Sequence, residues 1–209
     1  MILVRNAGQQ TILSGMKSRF LSIASVFALL SYLSVANPVG ATTVDPELRD
    51  LLTETIANAE SFDDRFDAEV WLFDMSLRME RFVPDKAFRL NLLKNIHREA
   101  SRVELPPELV IAVIDIESRF DTYAISRAGA QGLMQVMPFW LDEIGRPEDN
   151  LVDMETNLRM GCTILKYYMD MEKNDLRSAL ARYNGSYGDI RHTYSNKVLN
   201  ALRARWHQR

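Results

Sequence analysis

Apolar residues recur at intervals of three and four along almost the whole chain, the period of an amphipathic helix rather than a strand. Leu48, Leu51, Leu52, Ile56 and Ala59 form the first such stripe, behind Asp45-Pro46, a capping residue followed by proline at the first turn. Leu72, Met75, Met79 and Phe82 form a second, which stops at Pro84. Asp85 is placed to cap a third helix whose inner face is Phe88, Leu92, Leu93, Ile96, Ala100 and Val103. Pro106-Pro107 ends it and opens a fourth, from Glu108 to about Arg119. Between Phe120 and Pro138 the periodicity weakens, and Gly129, Gly132 and Pro138 predict a loop or short helices. Further helices are expected around residues 153–170, 176–183 and 195–205, the last with Val198, Leu199, Leu202 and Trp206 inward. No stretch alternates with period two long enough to predict a strand. The pattern predicts an all-α fold, or α with minimal β. A compact helical domain over residues 85–209 follows a helical N-terminal extension, residues 42–84.

Residues 1–41 follow a different pattern. They hold Arg5, Lys17 and Arg19 but no acidic side chain, then an apolar run from Phe20 to Val35, then Asn37-Pro38 and the small-ended Val39-Gly40-Ala41. That order predicts a secretory signal peptide. The run is shorter than the ~20 apolar residues of a spanning helix, so an uncleaved anchor is the weaker expectation. Met16 would make a more conventional start than Met1.

Composition changes the picture only by exclusion. With 47% hydrophobic and 25% charged residues the chain is globular rather than disordered. A net charge of −3 offers no footprint for nucleic acid, and none is expected as a partner. A single cysteine, Cys162, excludes an internal disulfide and a cysteine-based zinc cluster. Cys162 shares its spacing with Leu158, Gly161, Leu165 and Met169, which predicts core packing. His97, His192 and His207 lack ligand-like spacing, so neither metal nor other cofactor is expected.

One residue breaks the apolar pattern in a way that matters. Val110, Val113, Ile114 and Glu117 fall at i, i+3, i+4 and i+7, so Glu117 continues a buried stripe. It also lies in the last turn of its helix, at the negative end of the dipole. Both effects raise a carboxyl pKa, as a general acid near neutral pH requires. The plainer alternative is a packed stem whose carboxylate pairs with Arg119, Arg127 or solvent. Glu108 fits the helix dipole and needs no chemistry. Asp115 points off the Glu117 face and is expected to be solvated or salt-bridged. Asp121 could cap the following loop. It is the nearest candidate for a second carboxylate, though its spacing does not compel that role.

The residues around Glu117 carry a likeness. Glu117-Ser118-Arg119-Phe120, Ala124-Ile125-Ser126 and Gly129-Ala130-Gln131-Gly132-Leu133-Met134-Gln135-Val136-Met137-Pro138 are followed by Ala181-Arg182-Tyr183-Asn184-Gly185 and by Tyr194 to Val198. In that order and spacing, over roughly residues 88–206, the chain resembles the soluble lytic transglycosylase (SLT) catalytic domain. That bacterial family has a goose-type-lysozyme-like fold and cleaves peptidoglycan.

The resemblance implies that Glu117 is a single catalytic acid/base. It would cleave between N-acetylmuramic acid and N-acetylglucosamine, with closure of a 1,6-anhydro ring. It further implies that Ser126 and Gln135 hydrogen-bond the sugar or its acetamido group. Met137 would line the cleft, Tyr183 would stand near the glutamate, and Asn184 would shape that corner. On their own, Ser126 could cap a turn, Met137 fill the core, and Tyr183 pack with its hydroxyl on the backbone. Thr122, Arg182 and Gly185-Ser186 depart from the family pattern of proline, alanine and Ala-Gly, which puts substrate preference in more doubt than chemistry.

Peptidoglycan glycan strands are thus the expected partner of a periplasmic monomer, with a cell-envelope protein as a second candidate partner through residues 42–84. There Trp71, Phe73 and Met75 either dock that partner or pack on the catalytic domain. The basic C-terminus, Arg191 to Arg209, reads as a solvated face, or more sharply as a contact for anionic wall polymer. A hydrolytic lysozyme on the same scaffold and a silent glycan-binding scaffold remain the alternatives.

Overall fold

The computed structural model describes residues 46–57 and 65–207. The expected signal segment, the Asp45 cap, Ala59 and Arg209 lie outside them. Eight α-helices are described: α1 (Pro46–Ala57), α2 (Arg65–Met79), α3 (Lys86–Arg102), α4 (Pro107–Glu117), α5 (Trp140–Ile144), α6 (Met154–Met171), α7 (Leu176–Tyr183) and α8 (Thr193–Ala201). A π-helical turn, Leu202–Trp206, extends α8. Among the described residues there is no strand, only isolated bridges from Gln131 to Ile125 and Val136. The fold is therefore all-α with minimal β, as the periodicity predicts. The five-residue α5 was not anticipated.

Local chemistry sets the helix starts. Asp85 accepts the Phe88 backbone N–H at 2.8 Å, Asp153 that of Thr156 at 2.9 Å and Asp175 that of Arg177 at 3.1 Å. Such a cap is worth about 1 kcal/mol. Prolines at 106 and 107 pre-set α4 instead.

From Leu109 to Ile114 α4 is apolar all round, and Leu109 to Asp115 are all buried, so it forms the axis of the core. α3, α8 and the π-turn pack around it, while α6 joins α3 and α7. Cys162 is fully buried on α6, and burial pushes its thiol pKa up, consistent with a packing role.

The N-terminal helices belong to the same compact unit, Thr43–Arg209. Trp71, Leu72, Met75 and Met79 are buried, and Trp71 Nε1 donates to Glu108 at 2.7 Å. Buried Arg89 on α3 donates to Ser76 on α2 at 2.9 Å. Trp71 and Met75 therefore pack rather than present a surface. Among the described residues, no helix is long and apolar enough to cross a membrane.

Candidate active site

Glu117 is the last residue of α4, and the backbone leaves the helix immediately after it. Ser118 and Arg119 both donate to Ile114 O, at 3.0 and 3.1 Å. Arg119 and Phe120 then take φ of 53° and 69°. Left-handed backbone costs a non-glycine residue on the order of 1 kcal/mol. Burial of Phe120 offsets this, its ring lying 5.4 Å from Phe82 and 5.7 Å from Trp206. The packed turn fixes where the half-buried Glu117 side chain emerges.

Its partners come from the end of the chain. The Tyr194 hydroxyl, in the first turn of α8, donates to Glu117 Oε1 at 2.6 Å. The side chain of Asn184, the C-cap of α7, also hydrogen-bonds this carboxyl. Both partners are neutral; neither Arg119 nor Arg127 takes that place. Burial raises the Glu117 pKa and outweighs the two hydrogen bonds, which favour the carboxylate. Burial along the apolar stripe, one of the two effects expected from the sequence, is the cause. Tyr183 and Tyr194 are pushed well above the ordinary tyrosine range, first by burial and then by the charge of Glu117. Both remain neutral donors.

The loop 118–138 is built on α6. Buried Asn157 accepts the Met134 N–H at 2.8 Å and donates to Gln131 O and Leu151 O at 2.8 and 2.7 Å. Gly132, at φ 75°, passes so close that a Cβ would strike Asn157 and the Leu151 carbonyl. The Tyr183 hydroxyl donates to Met134 O at 2.7 Å, tying α7 to the same loop.

Within the loop, Ser126 Oγ accepts the Ala130 N–H at 3.0 Å, the turn-capping role weighed above. Gln135, at φ 51°, donates both amide hydrogens inward, to Ala124 O at 3.1 Å and Gly132 O at 2.9 Å. Met137 is half-buried at its end.

Glu117, Tyr183 and Asn184 are thus brought together. Ser126, Gln135 and Met137 share one loop and bond within it. Tyr194 was missed as a site residue, although Tyr194, Val198 and Ala201 mark an inward stripe at i, i+4 and i+7. Asp121 caps the Tyr123 N–H at 2.9 Å, as expected. Of the two expectations for Asp115 the salt bridge holds: it is 6% exposed and paired with Arg205 at 2.7 Å. That pairing also removes Arg205 from the solvated basic face.

Comparison with known proteins adds a family. Residues 94–201 match the model of the Transglycosylase SLT domain. Membrane-bound lytic murein transglycosylase C of Yersinia pestis (strain Pestoides F) and of Yersinia pseudotuberculosis serotype O:1b (strain IP 31758) are each 27% identical. The alignment covers 51% of this chain and 35% of theirs, so the chain spans about a third of the length of these relatives. The 70 kDa soluble lytic transglycosylase of Escherichia coli is 20% identical at a TM-score of 0.49, covering 77% of this chain and 34% of that one.

Proposed function

Because the chain belongs to the Transglycosylase SLT domain family, we propose that it is a lytic transglycosylase of peptidoglycan, cleaving the β-1,4 bond between N-acetylmuramic acid and N-acetylglucosamine. The observation that carries this reading is Glu117, a half-buried carboxyl held by neutral donors with its pKa raised.

Protonated Glu117 gives its proton to the glycosidic oxygen as the C1–O bond breaks. The oxygen of the muramyl 2-acetamido group stabilises the cationic C1, as in substrate-assisted glycosidases. The carboxylate left behind takes the proton of the sugar's own 6-hydroxyl, whose oxygen bonds to C1 and closes the 1,6-anhydro ring. Glu117 ends protonated and no water is consumed. Asp115 is engaged by Arg205 and Asp121 by its own turn, which favours one carboxylate over a hydrolytic route with two.

The remaining roles follow from which atoms are still uncommitted. Gln135 has given both amide hydrogens to carbonyls, so its Oε1 is left to accept an acetamido N–H. Ser126 accepts from Ala130 and keeps a hydroxyl hydrogen for the sugar. Met137 lines the cleft, Tyr183 braces its wall, and Asn184 and Tyr194 orient the Glu117 carboxyl. Residues 1–41 direct export to the periplasm, where the enzyme serves wall remodelling or opens gaps for a secretion or flagellar apparatus.

The test is mass spectrometry of the products released from peptidoglycan by the protein and by Glu117→Gln. Muropeptides ending in 1,6-anhydromuramic acid are expected, falling by about 10³-fold or more in the variant. Reducing ends, 18 Da heavier, would replace this reading with a hydrolytic one.

A further inference from the structure

A groove of about 460 Å³ opens between α5 and α6, with Phe139, Trp140 and Tyr167 in its walls and Glu143 among its lining residues. Its volume lies in the range of small-ligand sites. Two of the rings are half exposed: Phe139 is 53% and Tyr167 52% accessible. They are also braced. Phe139 lies 5.2 Å from Trp140 at 32°, Trp140 meets Tyr168 edge-on at 6.4 Å, and Tyr168 lies 5.3 Å from Tyr167. Fixed aromatic faces left half in water form a platform rather than a core.

The chemistry of the groove narrows its occupant. A pyranose presents a C–H face that stacks on aromatic rings and edge hydroxyls that donate to a carboxylate such as Glu143. An alkylammonium group would gain most from rings that enclose and desolvate it. Phe139 and Tyr167 are too open for that, whereas a sugar stacked on them keeps its outer hydroxyls in water.

Position narrows it further. Trp140 N–H donates to Met137 O at 3.1 Å and Leu141 N–H to Pro138 O at 2.9 Å, so the groove wall begins where the Gln135–Met137 segment ends. We infer that this groove is an outlying glycan subsite, stacking a sugar of the same strand that Glu117 cleaves. The inference rests on the transglycosylase reading of the Glu117 site.

The test uses the full chain carrying Glu117→Gln, titrated with trimers and hexamers of β-1,4-linked N-acetylglucosamine. Trp71 and Trp206 are buried, so the fluorescence of half-buried Trp140 reports locally. Hexamer binding should shift that fluorescence. Phe139→Ser and Tyr167→Ser should each weaken the hexamer about tenfold and leave the trimer unchanged, while Phe139→Trp should retain the hexamer. Equal hexamer affinity in the serine variants, or no hexamer binding to the parent, would overturn the subsite. So would affinity for peptide-bearing muropeptides that disappears when their amines are acetylated. The two readings separate cleanly. Glu117-dependent anhydro products with hexamer affinity unmoved by Phe139→Ser remove the subsite alone. Products unaffected by Glu117→Gln, with hexamer affinity carried by Phe139, remove the acid/base assignment alone.

Discussion

Asp115 and Glu117 sit two residues apart on α4, on opposite sides of its last turn, in environments with little in common. Behind the turn, Asp115 Oδ2 accepts from Arg205 Nη2 at 2.7 Å and Nε at 2.8 Å, and from Trp206 Nε1 at 2.9 Å. Arg78 on α2 closes this side by donating to the carbonyls of Arg205 and His207, both at 3.1 Å. In front, the Glu117 carboxyl meets a phenol and an amide. A cation and a rigid indole N–H hold one carboxylate in place. Neutral donors in a half-buried setting leave the other able to exchange a proton. One terminal segment builds both: α8 sends Tyr194 forward, and the π-turn sends Arg205 and Trp206 back.

The strongest way to break this contrast is from behind. Asp115→Ala would leave the fully buried Trp206 N–H without an acceptor and Arg205 without its anion. Removing one member of a buried pair is expected to cost about 3 kcal/mol, with Arg205 a third exposed and discounted for that. Thermal unfolding should then come roughly 6–12 °C lower. An unchanged melting temperature would mean that the back of the turn carries no structural weight.

The front and back were not equally legible in the sequence. Helix positions followed from periodicity, because one apolar face per helix is what this core requires. Glu117 stood out because it interrupts such a face. Asp115 and Arg205 pair across a separation that no local spacing encodes, so the salt bridge open to Asp115 has no partner in the sequence pattern, and Arg205 reads as part of a solvated face. Tyr194 was hidden for a related reason: an inward tyrosine in an apolar stripe looks like core until the group opposite its hydroxyl is known. Asn157 was missed because its three bonds go to backbone atoms of two loops without periodicity. Within that loop, the sequence motif named Gln135 and Ser126, but only the folded turn shows which of their atoms are already used.

A smaller effect is expected from altering the front without touching the acid itself. Tyr194→Phe keeps the buried ring and removes the bond to Glu117. Hydrogen bonds to charged groups are worth about 1.5–3 kcal/mol, so kcat should fall roughly 10–100-fold with KM and melting temperature little changed. The lost bond favoured the carboxylate, so the Glu117 pKa should rise further. The alkaline limb of kcat/KM, where the acid loses its proton, should move to higher pH. A loss of rate with an unmoved limb would assign Tyr194 to packing alone.

The smallest effect reverses sign across the turn. Burial raises the Glu117 pKa in the folded chain above its unfolded value, near 4.3. Below that value the group is protonated in both states and its ionisation costs nothing. As pH rises through the folded pKa, the native state must accept a disfavoured charge, and stability falls. Glutamine never carries that charge, yet can still accept from Tyr194. Glu117→Gln should therefore melt higher than the parent at pH 8, the gain shrinking to nothing as pH falls below about 4. Asp115→Asn, made in the same helix and scanned beside it, should melt lower at pH 8, because it removes the anion that Arg205 and Trp206 require. Calorimetry of both variants at pH 4 and pH 8 reads the two signs directly. A glutamine variant less stable than the parent at pH 8 would mean that the front of the turn favours an ion, and would remove the physical basis for a proton held on Glu117.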